Sequence, residues 1–130
     1  MSIEKMISEH PDVAGHLNEP LAKAVRHAMY CAAICNSCAD ACLAEDDPAG
    51  RRDCIRKCLD CADICAATAR VAARRTGGNE QILRATLELC AKACEDCRDM
   101  CSKHDSDHCK RCAEMCRECA EDCRKAMENL

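Results

Sequence analysis

Four tracts of cysteine carry the chemistry open to this chain of 130 residues. The first is Cys31, Cys35, Cys38 and Cys42, and the second is Cys54, Cys58, Cys61 and Cys65. The third is Cys90, Cys94, Cys97 and Cys101, and the fourth is Cys112, Cys116, Cys119 and Cys123. Each reads C-x-x-x-C-x-x-C-x-x-x-C. Steps of four, three and four put all the thiols of a tract on one stripe of a helix. A seventeenth cysteine, Cys109, extends the last stripe by one step. Thiolates are soft ligands that select Cu(I), zinc or iron–sulfur clusters. Zinc needs four ligands converging tetrahedrally, which a layer of four thiols could supply. Iron–sulfur clusters also take four cysteines, but they are bulky for an interior of Ala and Cys. Cu(I) is satisfied by two or three sulfurs, and one thiolate can bridge two ions. The spacing therefore favours copper and leaves a zinc buffer or an iron–sulfur or dithiol redox protein as alternatives.

The elements that must position these thiols follow from the breakers. Those fall at Pro11 to Pro20, Asp46-Asp47-Pro48, Thr76-Gly77-Gly78-Asn79 and His104-Asp105-Ser106-Asp107. Between them the sequence predicts long helices near 19–45, 48–75, 80–103 and 107–128. Asp47 before Pro48 reads as a helix start, and Gly77 after Arg74 and Arg75 as a helix end. Asn79 and Ser106 are candidate N-caps. The domain division is an N-terminal segment, 1–18, with one short helix carrying Ile3, Met6 and Ile7 on one face, and a bundle over 19–130. Short connections imply antiparallel neighbours, so the fold class is all-α, an up-down-up-down four-helix bundle with a cysteine-lined core.

The numbering supports that register. Cys42 faces Cys54, Cys38 faces Cys58, Cys35 faces Cys61 and Cys31 faces Cys65; the second hairpin repeats the pattern from Cys101 and Cys112 to Cys90 and Cys123. Sixteen thiols can thus stack as four layers of four, each tract rising ~16 Å. The tracts gather at one end of the bundle. The other end is aliphatic: Leu17, Leu21, Ala24, Ala28, Val71, Ala72, Leu83, Leu87, Ala126, Met127 and Leu130. Ala32, Ala39, Ala62, Ala66, Ala91, Ala93, Ala113 and Ala120 flank the stripes and let the helices approach closely.

Composition narrows the function. There is no Trp or Phe and a single Tyr, Tyr30, so cysteine must fill the interior. Formal net charge is -4, with acids and bases mixed. No basic block points to nucleic acid, and no apolar run is long enough for a membrane. The N-terminus has no secretory pattern, so a cytoplasmic protein is expected, where dense thiols stay reduced and point to metal. No nucleophilic triad, phosphate loop or carboxylate dyad stands out, and we expect no enzyme. The plainer readings are thiols as small core residues, a disulfide ladder if the chain were exported, and a redox pair of Cys109 with Cys112. His104 falls in the layer just outside the stack and is a candidate copper ligand beside Cys109. Cys109, at a helix start, is expected to ionise readily. His108 lies off the stripe; His10, His16 and His27 are expected to be solvated; Met29, Met100 and Met115 are expected to pack. Glu45 and Arg51 are expected to rim the mouth.

The four matched tracts resemble those of the bacterial copper storage proteins over roughly residues 19–128. A single C-x-x-C would be weak; four eleven-step tracts are specific. The resemblance implies a four-helix bundle filled with thiolates that stores many Cu(I) ions. The leaderless start is similar to the cytosolic branch of that family, which implies a homotetramer.

Overall fold

The computed structural model describes residues 2–130. Five α-helices follow in order: α1 (Ile3–Ser8), α2 (Glu19–Leu43), α3 (Arg52–Ala73), α4 (Glu80–Cys101) and α5 (Asp107–Glu128). There is no strand among the described residues. α2 packs on α3 and α5, and α4 packs on α3 and α5, which closes the four long helices into the expected antiparallel ring.

Local chemistry sets the boundaries. Asn18 caps α2, its side chain accepting from the Leu21 N–H at 3.1 Å, and Pro20 sits in the first turn where no donor is lost. The second long helix starts later than its sequence suggests. Pro48 opens a 3-10 turn, Ala49–Arg51, in which Asp47 Oδ1 accepts from the Gly50 N–H at 3.1 Å. A Cβ on Gly50 would run into the Asp47 carboxylate, so any other residue there would push that side chain aside. That helix also ends earlier, with Arg74 already extended. Gly77, at φ +68°, bends the loop beyond and is not the helix cap. Asn79 and Ser106 precede α4 and α5 as expected, yet neither side chain caps its helix. The Ser106 hydroxyl instead accepts from Arg51.

The core divides along the bundle axis. At one end Leu21, Val25, Ala28, Leu83, Leu87 and Ala126 are buried, joined by Thr68, whose hydroxyl donates to the Ile64 carbonyl at 2.7 Å. The N-terminal segment folds over this end. Ile7 and Val13 are buried, His10 Nε2 pairs with Thr76 Oγ1 at 3.0 Å, and Asn18 Nδ2 donates to the Asn129 carbonyl at 3.1 Å. α1 does not use its whole expected face, because Met6 is exposed. His27 also departs from expectation. It lies between α2 and α5, where Nδ1 pairs with Oδ2 of Asp122, a carboxylate only 5% exposed. A buried acid needs a partner, and the ring supplies it. Met29 is exposed rather than packed, whereas Met115 is buried. No helix is long and apolar enough to cross a membrane among the described residues.

Candidate metal centre

All seventeen cysteines are free thiols, and all are buried. Long helices without internal breaks hold the sixteen tract thiols on their inner stripes, and the first turn of α5 adds Cys109. The stack differs from four flat layers. Cys94, Cys101 and Cys116 each sit between two successive thiols of a neighbouring helix. Cys101 Sγ is 3.6 Å from Cys54 and 3.5 Å from Cys58. Cys94 is 3.7 Å from Cys61 and 3.6 Å from Cys65. Cys116 is 3.8 Å from Cys31 and 3.5 Å from Cys35. Interlocking of knobs into holes produces this half-step offset, which a count of positions within one hairpin does not reveal. Cys31 and Cys94 also meet across the axis at 3.9 Å, so the bore is one sulfur wide.

The offset gives Cys109 its place. It lies 3.9 Å from both Cys38 and Cys42, continuing the stagger at the outer end. Groups whose ligand atoms lie within 4.8 Å of one another run down the bore. They include Cys31–Cys61–Cys65–Cys94, Cys35–Cys97–Cys112–Cys116, Cys38–Cys58–Cys101–Cys112 and Cys38–Cys42–His108–Cys109. Sulfurs are shared between groups, as bridging ligation requires. Cys90 approaches Cys65 at 3.7 Å towards the inner end.

The last of those groups corrects the sequence reading of the histidines. His108 Nδ1 is 3.3 Å from Cys38 Sγ and 3.6 Å from Cys109 Sγ, so the ring reaches the stripe although its backbone position is off it. The first turn of α5 lets the ring swing towards α2. Its Nε2 pairs with Glu45 Oε1 at 2.9 Å. If Nε2 carries the proton to that carboxylate, Nδ1 presents a lone pair to the stack, the arrangement that orients metal-binding histidines. His104 is half-buried near Cys54. The only sequence signal for His108 was its adjacency to Cys109.

Ionisation varies along the stack. Cys38 is pulled down to about 6, chiefly by hydrogen bonding with Cys101, and Cys54 to about 3, again chiefly through Cys101 with a smaller pull from His104. Burial pushes Cys42 up to about 12. Cys109 is likewise raised by burial, with Ser106 opposing, so it is not the readily ionised thiol that its helix-start position suggested. Glu45 is lowered, first by its bond to His108, and Arg51 is raised, first by its bond to Cys42.

A family model described as copper storage protein matches residues 17–128. The chain belongs to the copper storage protein family. It stores copper on thiolates inside a four-helix bundle. Solved relatives agree in fold. The copper storage protein Ccsp from Streptomyces lividans, loaded with 10 copper equivalents, superposes with a TM-score of 0.94 at 38% identity, covering 99% of this chain and 100% of that one. A cytosolic copper storage protein from Streptomyces lividans carrying five coppers gives 0.84 at 42% identity, over 86% of this chain and 95% of that one. Apo-Csp3 from Bacillus subtilis gives 0.72 at 35% identity, over 81% of this chain and 96% of that one, and BsCsp3 is also known Cu(I)-bound.

Proposed function

We propose that the stored form is Cu(I), bound near one ion per cysteine by the sixteen tract thiolates and Cys109. The carrying observation is the column of buried thiols, many with a neighbouring sulfur at 3.5–3.9 Å, whose successive groups share cysteines with ligand atoms within 4.8 Å of one another. Shared sulfurs at this spacing suit two- and three-coordinate Cu(I), which bridging thiolates satisfy. His108 joins Cys38, Cys42 and Cys109 at the outermost position, and His104 serves the rim near Cys54. Copper enters at this end, because the opposite end offers Leu21, Leu83 and Leu87 and no ligand. The protein acts by holding ions without turnover, in the cytoplasm, and as a homotetramer; the last two rest on resemblance to the cytosolic relatives.

Anaerobic titration with Cu(I), followed by metal analysis and competition with zinc, tests this reading. Bridged Cu(I) should reach a plateau on the order of 15–20 ions per chain. Zinc in four-thiolate sites would stop at about four. A copper plateau of one or two would remove multi-ion storage.

A further inference from the structure

The guanidinium of Arg51 lies across the open end of the sulfur column. Arg51 ends the 3-10 turn that leads into α3, and only 16% of its side chain is exposed. Nη1 donates to Ser106 Oγ at 2.8 Å and to Cys109 Sγ at 3.5 Å, and lies 3.9 Å from Cys42 Sγ. Nη2 is 3.7 Å from Glu45 Oε2. These partners come from the end of α2, the turn before α5 and the first turn of α5. One cation therefore ties both mouth turns together. A simple surface pair with Glu45 would need none of the sulfur contacts.

The position matters because Cys42 and Cys109 are the outermost thiols of α2 and α5. An ion arriving on the α2 and α5 side of the mouth must bind there. To bind, it needs the sulfur lone pairs towards which the guanidinium N–H groups point. Arginine keeps its charge at every pH the protein meets, so the fork also repels an approaching cation where water is partly excluded. Lysine could not replace it: an ammonium is a point charge, whereas the planar fork reaches a hydroxyl, a carboxylate and two sulfurs at once.

We propose that Arg51 is the gate of the copper store, a residue that is not a ligand and that sets the rate at which Cu(I) is exchanged across the mouth. This rests on the reading of the protein as a Cu(I) store. With the gate shut, the fork holds Cys42, Cys109 and Ser106; with it open, the fork stays with Glu45 and leaves the sulfurs free. In each transfer a bond from copper to the donor breaks as one to Cys109 or Cys42 forms. Copper remains Cu(I), no electron moves, and the thiol proton passes to the released donor ligand or to water. Because the gate shuts the same opening in both directions, it slows entry and release alike and leaves the number of ions held unchanged.

Arg51→Met keeps much of the side-chain bulk and removes every donor. Loading of the apo-protein from a Cu(I)–bicinchoninate complex and removal by excess bathocuproine disulfonate would be timed by stopped flow, at two ionic strengths to separate long-range charge from the gate. Both rates should rise, loading by about tenfold for the loss of charge-assisted hydrogen bonds, with the plateau unchanged. Arg51→Lys should fall between Met and wild type, and Ser106→Ala should speed both rates less. Circular dichroism identifies any variant that has lost its helices, and Ser106→Ala then carries the test. Unchanged rates, or a change in one direction only, would overturn the gate. A plateau of one or two ions in wild type would instead sink the storage reading, while the rates at the outermost position would still report on Arg51.

Discussion

The two ends of this bundle are built from different chemistry. The closed end holds Leu21, Val25, Leu87 and Thr68 in ordinary packing, with Ile7 and Val13 of the N-terminal segment laid over it. The mouth end holds Cys109, His108, Glu45 and Arg51, all polar or ionisable, joined through short turns. Stability and cargo are thus separated along the axis, and the fold is expected to form without its metal. The largest effect expected from this division is that of copper itself. The apo-protein should already be strongly helical by circular dichroism, and loading should raise its melting temperature steeply, since each tightly held ion adds up to ~4 kcal/mol when free copper stands a thousandfold above its dissociation constant. A coil-like apo spectrum would show that metal creates the fold, as in small zinc domains.

Next in size is damage to the closed end. Leu87 is fully buried beneath the innermost thiols. Leu87→Ala should cost about 2–5 kcal/mol through the cavity it leaves, and the rate of copper loading should hardly move. Chemical denaturation and stopped-flow loading of the same variant check the two halves of that statement. Slower loading at unchanged stability would mean that the ends are not independent. His27→Ala should cost less, about 1–3 kcal/mol, by leaving the Asp122 carboxylate buried without its ring partner. Lys23, 3.8 Å from Asp122 Oδ1, limits the loss.

The split between the ends was legible in the sequence because one residue type marks it. Cysteine at steps of four, three and four fixes both the helical period and the inward face, and the loops between tracts fix antiparallel order. Pairing within a hairpin does not specify how one hairpin slides past another, so the half-step stagger of Cys101 between Cys54 and Cys58 had no trace in the numbering. The same blindness hid His108. Its backbone position lies off the stripe, and only the turn of its ring towards α2 brings it to Cys38. Thr68 has no sequence signal because a threonine does not mark a core by itself, and Asp122 has none because a buried acid is visible only with its partner. The ionisation of Cys109 was misjudged because a helix N-terminus lowers a thiol pKa only where burial does not outweigh it.

The smallest effects belong to the mouth, where the outermost copper is held by few ligands. His108→Ala removes one of the four ligand atoms grouped there, so it should weaken the last ions to bind, with total capacity lower by about one. Glu45→Ala leaves every ligand in place and removes only the carboxylate that pairs with Nε2 at 2.9 Å. Losing such an orienting partner typically costs about tenfold in metal affinity, and the loss should be confined to the outermost position. Glu45 also contacts Arg51, so loading rates of this variant will mix two effects. Equilibrium competition against a chelator separates them, because a gate alters rates and an orienting partner alters affinity. The same titration should show a pH dependence of fixed sign. Cys42, raised to about 12, and Cys109, also raised, hold protons at neutral pH that copper must displace. Retention at the mouth should therefore weaken as pH falls and strengthen as it rises. If Glu45→Ala binds its outermost copper as tightly as wild type, then His108 is oriented by its contacts with Cys38 and Cys109 alone, and the carboxylate serves only Arg51.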